Sequence, residues 1–248
     1  MMTTAFVREL QEAGHIDDRI AAFFHDFRIG TLLNKAGIKK LRGASPLALF
    51  AAIFLLPFKG ANFYRGIVKN DGLAFKKDAA YALLKKPRHN WRSFLLSIAR
   101  PLVRFMEVLT SERREKVFVI DDSVYDRHRS KKVELLSWVY DHVLGKSVKG
   151  FKLLALGWDD GVSFVPLDFV LSAATDPKKQ VCGVTKELDR RCCGYKRRQE
   201  ALRKATQLLL PLLKRAKAQG IWAITIPCSW PVGSPFHRFW PACTNSCR

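Results

Sequence analysis

Acid is scarce in this sequence: Asp and Glu number 22 against 43 Lys and Arg, a formal charge of +21 over 248 residues. An excess of that size suits a polyanion and weighs against a small-metabolite enzyme, which needs none. Long hydrophobic runs are also missing. The longest, Leu47–Phe58 (LALFAAIFLLPF), is about half of the ~20 residues a membrane span needs. It reads as a buried helix, so no membrane partner is expected. The opening MMTTAFVRELQEAGH has no apolar signal core, and the expected setting is cytoplasmic, with reduced thiols. Neither a G-x-x-x-x-G-K-[ST] loop nor a dinucleotide fingerprint occurs, which excludes the usual forms of nucleotide hydrolysis and nicotinamide chemistry. Cys182, Cys192 and Cys193 fall in a C-x9-C-C spacing that matches no usual structural zinc pattern, and no metal is assigned to them.

What is present divides into three zones: residues 1–112, 113–223 and 224–248. The apolar fraction of 48% supports a real core. The first zone reads as short helices. Asp17 and Asp18 precede IAAFFHDF. Ser45 and Pro46 form a cap and first-turn signature, and Lys59-Gly60 closes that segment. ANFYRGIVKN and Lys77–Leu84 suggest two more helices, the latter ended by Pro87. Residues 76–86 are a candidate recognition helix of a helix-turn-helix unit, against the plainer reading of ordinary helix packing. Trp91–Leu109 is a further helix that Pro101 kinks or splits.

The second zone reads as strand, strand, strand, long helix. Val117–Ile120 is a short strand ending at Asp121-Asp122, and a basic loop follows. Phe151–Leu156 and Val162–Leu171 form a hairpin around Asp160-Gly161, with Pro166 marking an edge strand or a bulge. Ala201, Leu202, Ala205, Leu208, Leu209, Leu212 and Ala216 then share one face at helical spacing. Between Lys186 and Ala223 stand 11 basic and 3 acidic residues. Lys149, Lys196, Arg197, Arg198, Arg203, Lys204, Lys214 and Arg215 are the candidate DNA contacts, unless they are simply a solvated helix face. Residues 224–248 hold four of eleven prolines, three of six cysteines and no acid. They carry no helix or strand period and look like coding sequence read out of frame.

Asp121 and Asp122 are the main chemical signal. Carboxylates projecting from a strand's end can hold hard cations such as magnesium or manganese, and two such ions can drive phosphodiester cleavage. Strand alternation keeps the two from facing one centre, and the plainer reading is a pair capping a turn. Asp159 and Asp160 are better explained by the hairpin turn. Asp168 can face either way, and Asp126 and Asp141 suit surface ion pairs.

VFVIDDSVYDRHRSKK, KGFKLLALGWDDGVSFVPLDFVLS and GYKRRQEALRKATQLLLPLLKRAKAQGIWA, taken in order, resemble bacterial insertion-sequence transposases of the DDE class, close to the IS4-like families. The resemblance implies an α+β chain: a helical domain binding terminal repeats, then a ribonuclease-H-like core of three antiparallel strands, a helix and a parallel strand. It implies Asp121, with Asp122 as the alternative, as the first catalytic aspartate and a ligand for Mg or Mn. Its implied partners are double-stranded DNA at element ends, and a second copy or an intact transposase. A second aspartate belongs on the fourth strand and a glutamate further on. Here Cys228-Ser229-Trp230 stands where that aspartate is expected, so the resemblance implies an incomplete core, truncated or frameshifted after about residue 223 and without cleavage activity. Two alternatives are a non-catalytic DNA-binding fragment that inhibits an intact transposase, and an unrelated basic nucleic-acid-binding protein.

Overall fold

A computed structural model describes residues 16–39, 43–111, 113–184 and 188–225. The chain divides into two compact units, residues 1–94 and 95–248. The division falls inside one helix rather than in the charged loop near residue 112.

The first unit is helical. It contains α1 (Ile16–Asp26), α2 (Ile29–Lys35), α3 (Pro46–Phe54), a π-helical turn (Tyr64–Val68), α4 (Lys77–Lys85) and the start of α5 (Trp91–Leu109). Its apolar side chains meet largely as aromatic rings. Phe50 touches Phe24, Phe54, Trp91 and Phe94 at centroid separations of 5.1–6.2 Å, the range in which aromatic pairs attract. Ser45 does precede α3 with extended backbone and Pro46 opens the helix, but no side chain caps it. Leu49 is the one buried residue of α3, so this helix is half-buried rather than fully enclosed. Pro101 neither kinks α5 into two pieces nor ends it.

The second unit is built on a five-stranded sheet: β1 (Val117–Asp126), β2 (Ser137–Asp141), β3 (Lys146–Asp159), β4 (Phe164–Ser172) and β5 (Ile224–Thr225). Antiparallel pairing joins β1 to β3, β2 to β3 and β3 to β4, while β5 runs parallel to β1. This is the ribonuclease-H-like order of antiparallel strands followed by a parallel one. Four sequence expectations change. β1 does not stop at Ile120 but runs on to Asp126, because its whole length pairs with β3 from Asp159 to Gly150. The segment read as a basic loop contains β2, whose alternate residues Ser137 and Val139 are buried. Ile224 and Thr225, placed with the irregular tail, pair as strand; residues 226–248 lie outside those described. Finally, the long helix is two helices, α6 (Cys193–Ala201) and α7 (Ala205–Ala218). The carbonyl of Ala201 accepts the backbone N–H of Ala173 at 3.0 Å, a bond to the end of β4 in place of one along a continuous helix.

The hairpin follows its sequence signal. Gly161 has φ +84°, a left-handed conformation that glycine adopts without strain. Pro166 marks both an edge and a bulge: among the described strands β4 pairs only with β3, and the register shifts beside Leu156 and Gly157. A β-carbon on Gly157 would collide with the Phe164 ring. The bulge turns two successive residues, Leu167 and Asp168, inward.

Helices cover both faces of the sheet. On one, Phe118, Ile120, Leu154, Leu156 and Trp158 pack with Ala99 and Val103 of α5 and with Leu208, Leu212 and Ala216 of α7. On the other, Phe151 and Ala173 join Leu135, Leu136 and Ala201. Trp158 and Phe118 are wholly enclosed, which by area bookkeeping stabilises by about 2–3 kcal/mol each.

Candidate active site and basic surface

Asp121 and Asp122 sit in the middle of β1, opposite Ala155 and Leu154 of β3. Their register explains their different fates. Asp122 follows Phe118 and Ile120 on the face that α7 covers, whereas Asp121 follows Val119 on the opposite face. Asp121 is exposed. The Asp122 side chain is 18% exposed and lies 3.4 Å from Lys152 Nζ. Burial pushes the Asp122 carboxyl above the usual carboxylate range, and the Lys152 ammonium pulls in the other direction without overcoming it. Among described residues, β5 accompanies β1 at Val117 and Phe118.

The other acidic candidates are committed elsewhere. Asp159 accepts the Gly161 N–H at 2.6 Å. Asp160 accepts the N–H groups of Val162 and Ser163 at 3.0 and 2.6 Å and the hydroxyl of Thr110. The Thr110 hydrogen bond holds the Asp160 carboxyl below its ordinary value, helped by the backbone donors. Asp168 turns inward to Arg215, whose Nε donates to Oδ2 at 2.6 Å while a second nitrogen donates to Glu200 at 3.1 Å. Asp126 accepts from His128 at 2.8 Å, and Asp141 caps a turn through the N–H groups of Val143 and Leu144.

Endonucleases of the DDE superfamily typically use divalent metal ions. Among the described residues no group of three His, Cys, Asp or Glu side chains stands together. Asp121 and Asp122 point to opposite faces, and Asp122 already holds a lysine. These described residues therefore do not fit a two-ion centre, which needs several carboxylates converging on one point. Cys228, set against the missing aspartate, lies outside the described residues.

The basic candidates also divide. Three are held within the fold. Arg197 lies over the Phe169 ring at 4.8 Å and donates to the Phe169 carbonyl; Arg198 pairs with Glu134 at 2.5 Å; Arg215 closes the triad with Asp168 and Glu200. Lys196, Arg203, Lys204 and Lys214 are exposed, and Lys149 is half-buried on β3 opposite Trp138. Sequence reading missed Lys152, the partner of Asp122. Its signal was two-residue alternation: Lys152 shares a strand face with Leu154, Leu156 and Trp158, an odd place for an ammonium unless something answers it. It also missed Trp138 and Tyr140, each 48% exposed on β2.

A sheet of antiparallel strands joined by a parallel one, with helices on both faces and adjacent aspartates on its central strand, defines a nuclease-type core of the ribonuclease-H-like class. The DDE superfamily endonuclease family matches residues 72–226, and the chain belongs to it. No curated protein and no solved structure matches the chain. Membership implies DNA as substrate. Among described residues, no helix is long and apolar enough to cross a membrane.

Proposed function

We propose that the chain is a transposase of the insertion-sequence type, close to the IS4-like families, which holds double-stranded DNA at element ends and, as this sequence stands, binds without cutting. The observation that carries this reading is the disposition of the carboxylates. Asp121 is exposed on the strand where the superfamily's chemistry begins, while Asp159, Asp160 and Asp168 are each engaged by a turn, a threonine or an arginine. Residues 224–248 add no acid. Phosphodiester cleavage and strand transfer need charge stabilisation on both the attacking and leaving oxygens, and one aspartate per sheet face does not supply it.

Binding rests on different groups. The charge of +21 and the exposed Lys196, Arg203, Lys204 and Lys214 suit the phosphate backbone, and α4 in the first unit is the candidate for sequence preference. The test pairs two assays on the full chain. Duplex affinity, read across a salt series, should fall steeply with added salt as counterions are released. Supercoiled DNA incubated with magnesium or manganese should remain uncut. Metal-dependent nicking that disappears in Asp121→Asn would overturn the inactive reading, and duplex affinity indifferent to salt would overturn the binding one. A sequence preference lost on changing α4 would support terminal-repeat recognition by the first unit.

A further inference from the structure

The end of the sheet at which β1 begins carries a group of exposed apolar side chains. Val108 and Leu109, in the last turn of α5, are 85% and 67% exposed, and Val162, at the tip of the β3–β4 hairpin, is 72% exposed. Phe164 and Trp222 are exposed at the same end. Phe164 opens β4 opposite Asp159, which pairs with Val117, and Trp222 comes two residues before Ile224, which pairs with Val117 from the other side. The end of α5 and the hairpin tip are fastened together. Asp160 accepts the Thr110 hydroxyl on one oxygen and the Val162 and Ser163 N–H groups on the other. Val108, Leu109 and Val162 are therefore presented by backbone already held in place, and little ordering remains for a partner to impose. Single exposed apolar residues need no explanation, whereas a rigid cluster of them marks a contact.

Charge says what the contact is with. The chain carries +21, yet residues 105–117 and 157–165 hold five acidic and three basic residues, a net of −2. Such a place repels phosphate, so its partner is neither DNA nor an anionic membrane. Copies of this chain repel one another over most of their surface, and least here. The rim is also self-complementary. Arg113 and Arg114 are exposed beside an exposed Glu115, and Glu107 pairs with Lys116 at 3.2 Å. Across a two-fold axis both signs can meet their opposites while apolar groups meet apolar groups, as an isologous interface requires. The position fits as well. β4 runs from Phe164 at this end to Ser172, and the next N–H, that of Ala173, bonds Ala201 at the joint of α6 and α7. Arg203 and Lys204 thus stand at the opposite end of β4 from the cluster.

We propose that two copies of this chain join through this end of the sheet, about a two-fold axis and without DNA, with Val108, Leu109 and Val162 at the centre of the contact. The cluster is small beside a standard interface of about 20–30 residues a side, so the pair exchanges with single copies. Pairing this way leaves Arg203 and Lys204 of both copies uncovered. The inference goes beyond DNA binding and does not depend on it.

The experiment is sedimentation velocity on the full chain, treated with nuclease and freed of nucleic acid, from about 1 to 100 μM, where small interfaces show themselves. A monomer–dimer equilibrium is expected. Two variants of opposite sign test the centre, Val108→Lys and Val162→Asp. Both side chains are exposed, so the thermal midpoint should stay close to the parent's, while each variant should dimerise about tenfold more weakly or worse. Trp138→Ala, on β2 away from this end, should dimerise like the parent. Duplex affinity, read separately, should change less than about threefold in every variant, because the cations that meet phosphate lie elsewhere; dimerisation and DNA binding can then fail independently. A parent that stays monomeric throughout would overturn the proposal, as would association that nuclease abolishes. Growth into indefinite aggregates that neither variant changes, or a loss in Trp138→Ala as large as in the other two, would overturn it as well.

Discussion

The two units are held together by different physics. In the first, short helices meet through rings that remain partly open: Phe50 and Phe54 are half-buried, and the ring contacts scatter from stacked to edge-on. In the second, a sheet satisfies its backbone through four pairings and buries Trp158, Phe118, Leu154 and Leu156 almost completely. The contrast teaches where a sequence constrains its own fold. A loosely packed aromatic cluster absorbs a substitution by shifting its neighbours, whereas an enclosed indole between sheet and helix has no such room. The titrating groups differ too. His89, buried in the first unit with Nδ1 2.8 Å from the Leu83 carbonyl, has its pKa lowered chiefly by burial; in the second unit the perturbed groups away from solvent are two carboxylates, Asp122 raised by burial and Asp160 lowered by its hydrogen bonds.

The largest effect expected from this contrast is at Trp158. Trp158→Ala should cost about 3–5 kcal/mol and unfold the second unit first, while Phe50→Ala should cost roughly half as much and act on the first. Residue-resolved hydrogen exchange in urea separates the units, and equal losses in both would dissolve the comparison. Next comes the inward arginine. Arg215→Ala should destabilise the second unit by about 3 kcal/mol, since it removes the guanidinium that balances the buried Asp168 carboxylate, whose other oxygen accepts the Phe169 N–H. Arg215→Met should recover part of that when paired with Asp168→Leu, and a double variant no better than the single would show that the triad is not one unit.

Acid should separate the units further. The His89 pKa is below its unfolded value of 6.5, so the unfolded chain takes up the proton more readily. Its contribution to stability is complete above about pH 6.5 and is lost as pH falls through the folded value. The first unit should therefore lose urea resistance as pH falls below about 6.5, and His89→Gln should flatten that slope. The smallest effect is at Asp122. Its carboxyl is raised above 3.8 in the folded chain, so the folded state favours the protonated form. Stability from this residue is greatest below pH 3.8 and declines as pH rises through the folded value. Asp122→Asn should be slightly more stable than the parent at pH 7 and indistinguishable at pH 3, as read from urea midpoints.

Much of the second unit was legible because its signals were local. Asp160-Gly161 sets the hairpin, Pro166 betrays both edge and bulge, and the apolar spacing of Leu208, Leu212 and Ala216 finds the covered face of α7. The sequence did not announce β2, since its buried side includes Ser137, whose hydroxyl accepts the distant Ala174 N–H at 2.9 Å. Nor did helical periodicity reveal the break after Ala201, because the competing hydrogen bond comes from Ala173 in β4. In the candidate site, the divergence of Asp121 and Asp122 followed from alternation alone. What could not be read was which neighbours each would meet, and so Arg215 looked like a DNA contact while it is the counter-ion of a buried aspartate.

The outer margin of β4 has a consequence for how copies of this protein behave together. A sheet margin with free donors in register is a template onto which another chain can add, and protein solutions fail by that route. Here Pro166 offers no N–H, the bulge at Leu167 throws the ladder out of step, and the Ala173 N–H is consumed by Ala201. The sheet is in this way closed to growth on that side by its own chain, and crowding should bring copies together through exposed rings such as Trp138 and Tyr140, against the repulsion of their net charge, before it drives them into shared β-structure.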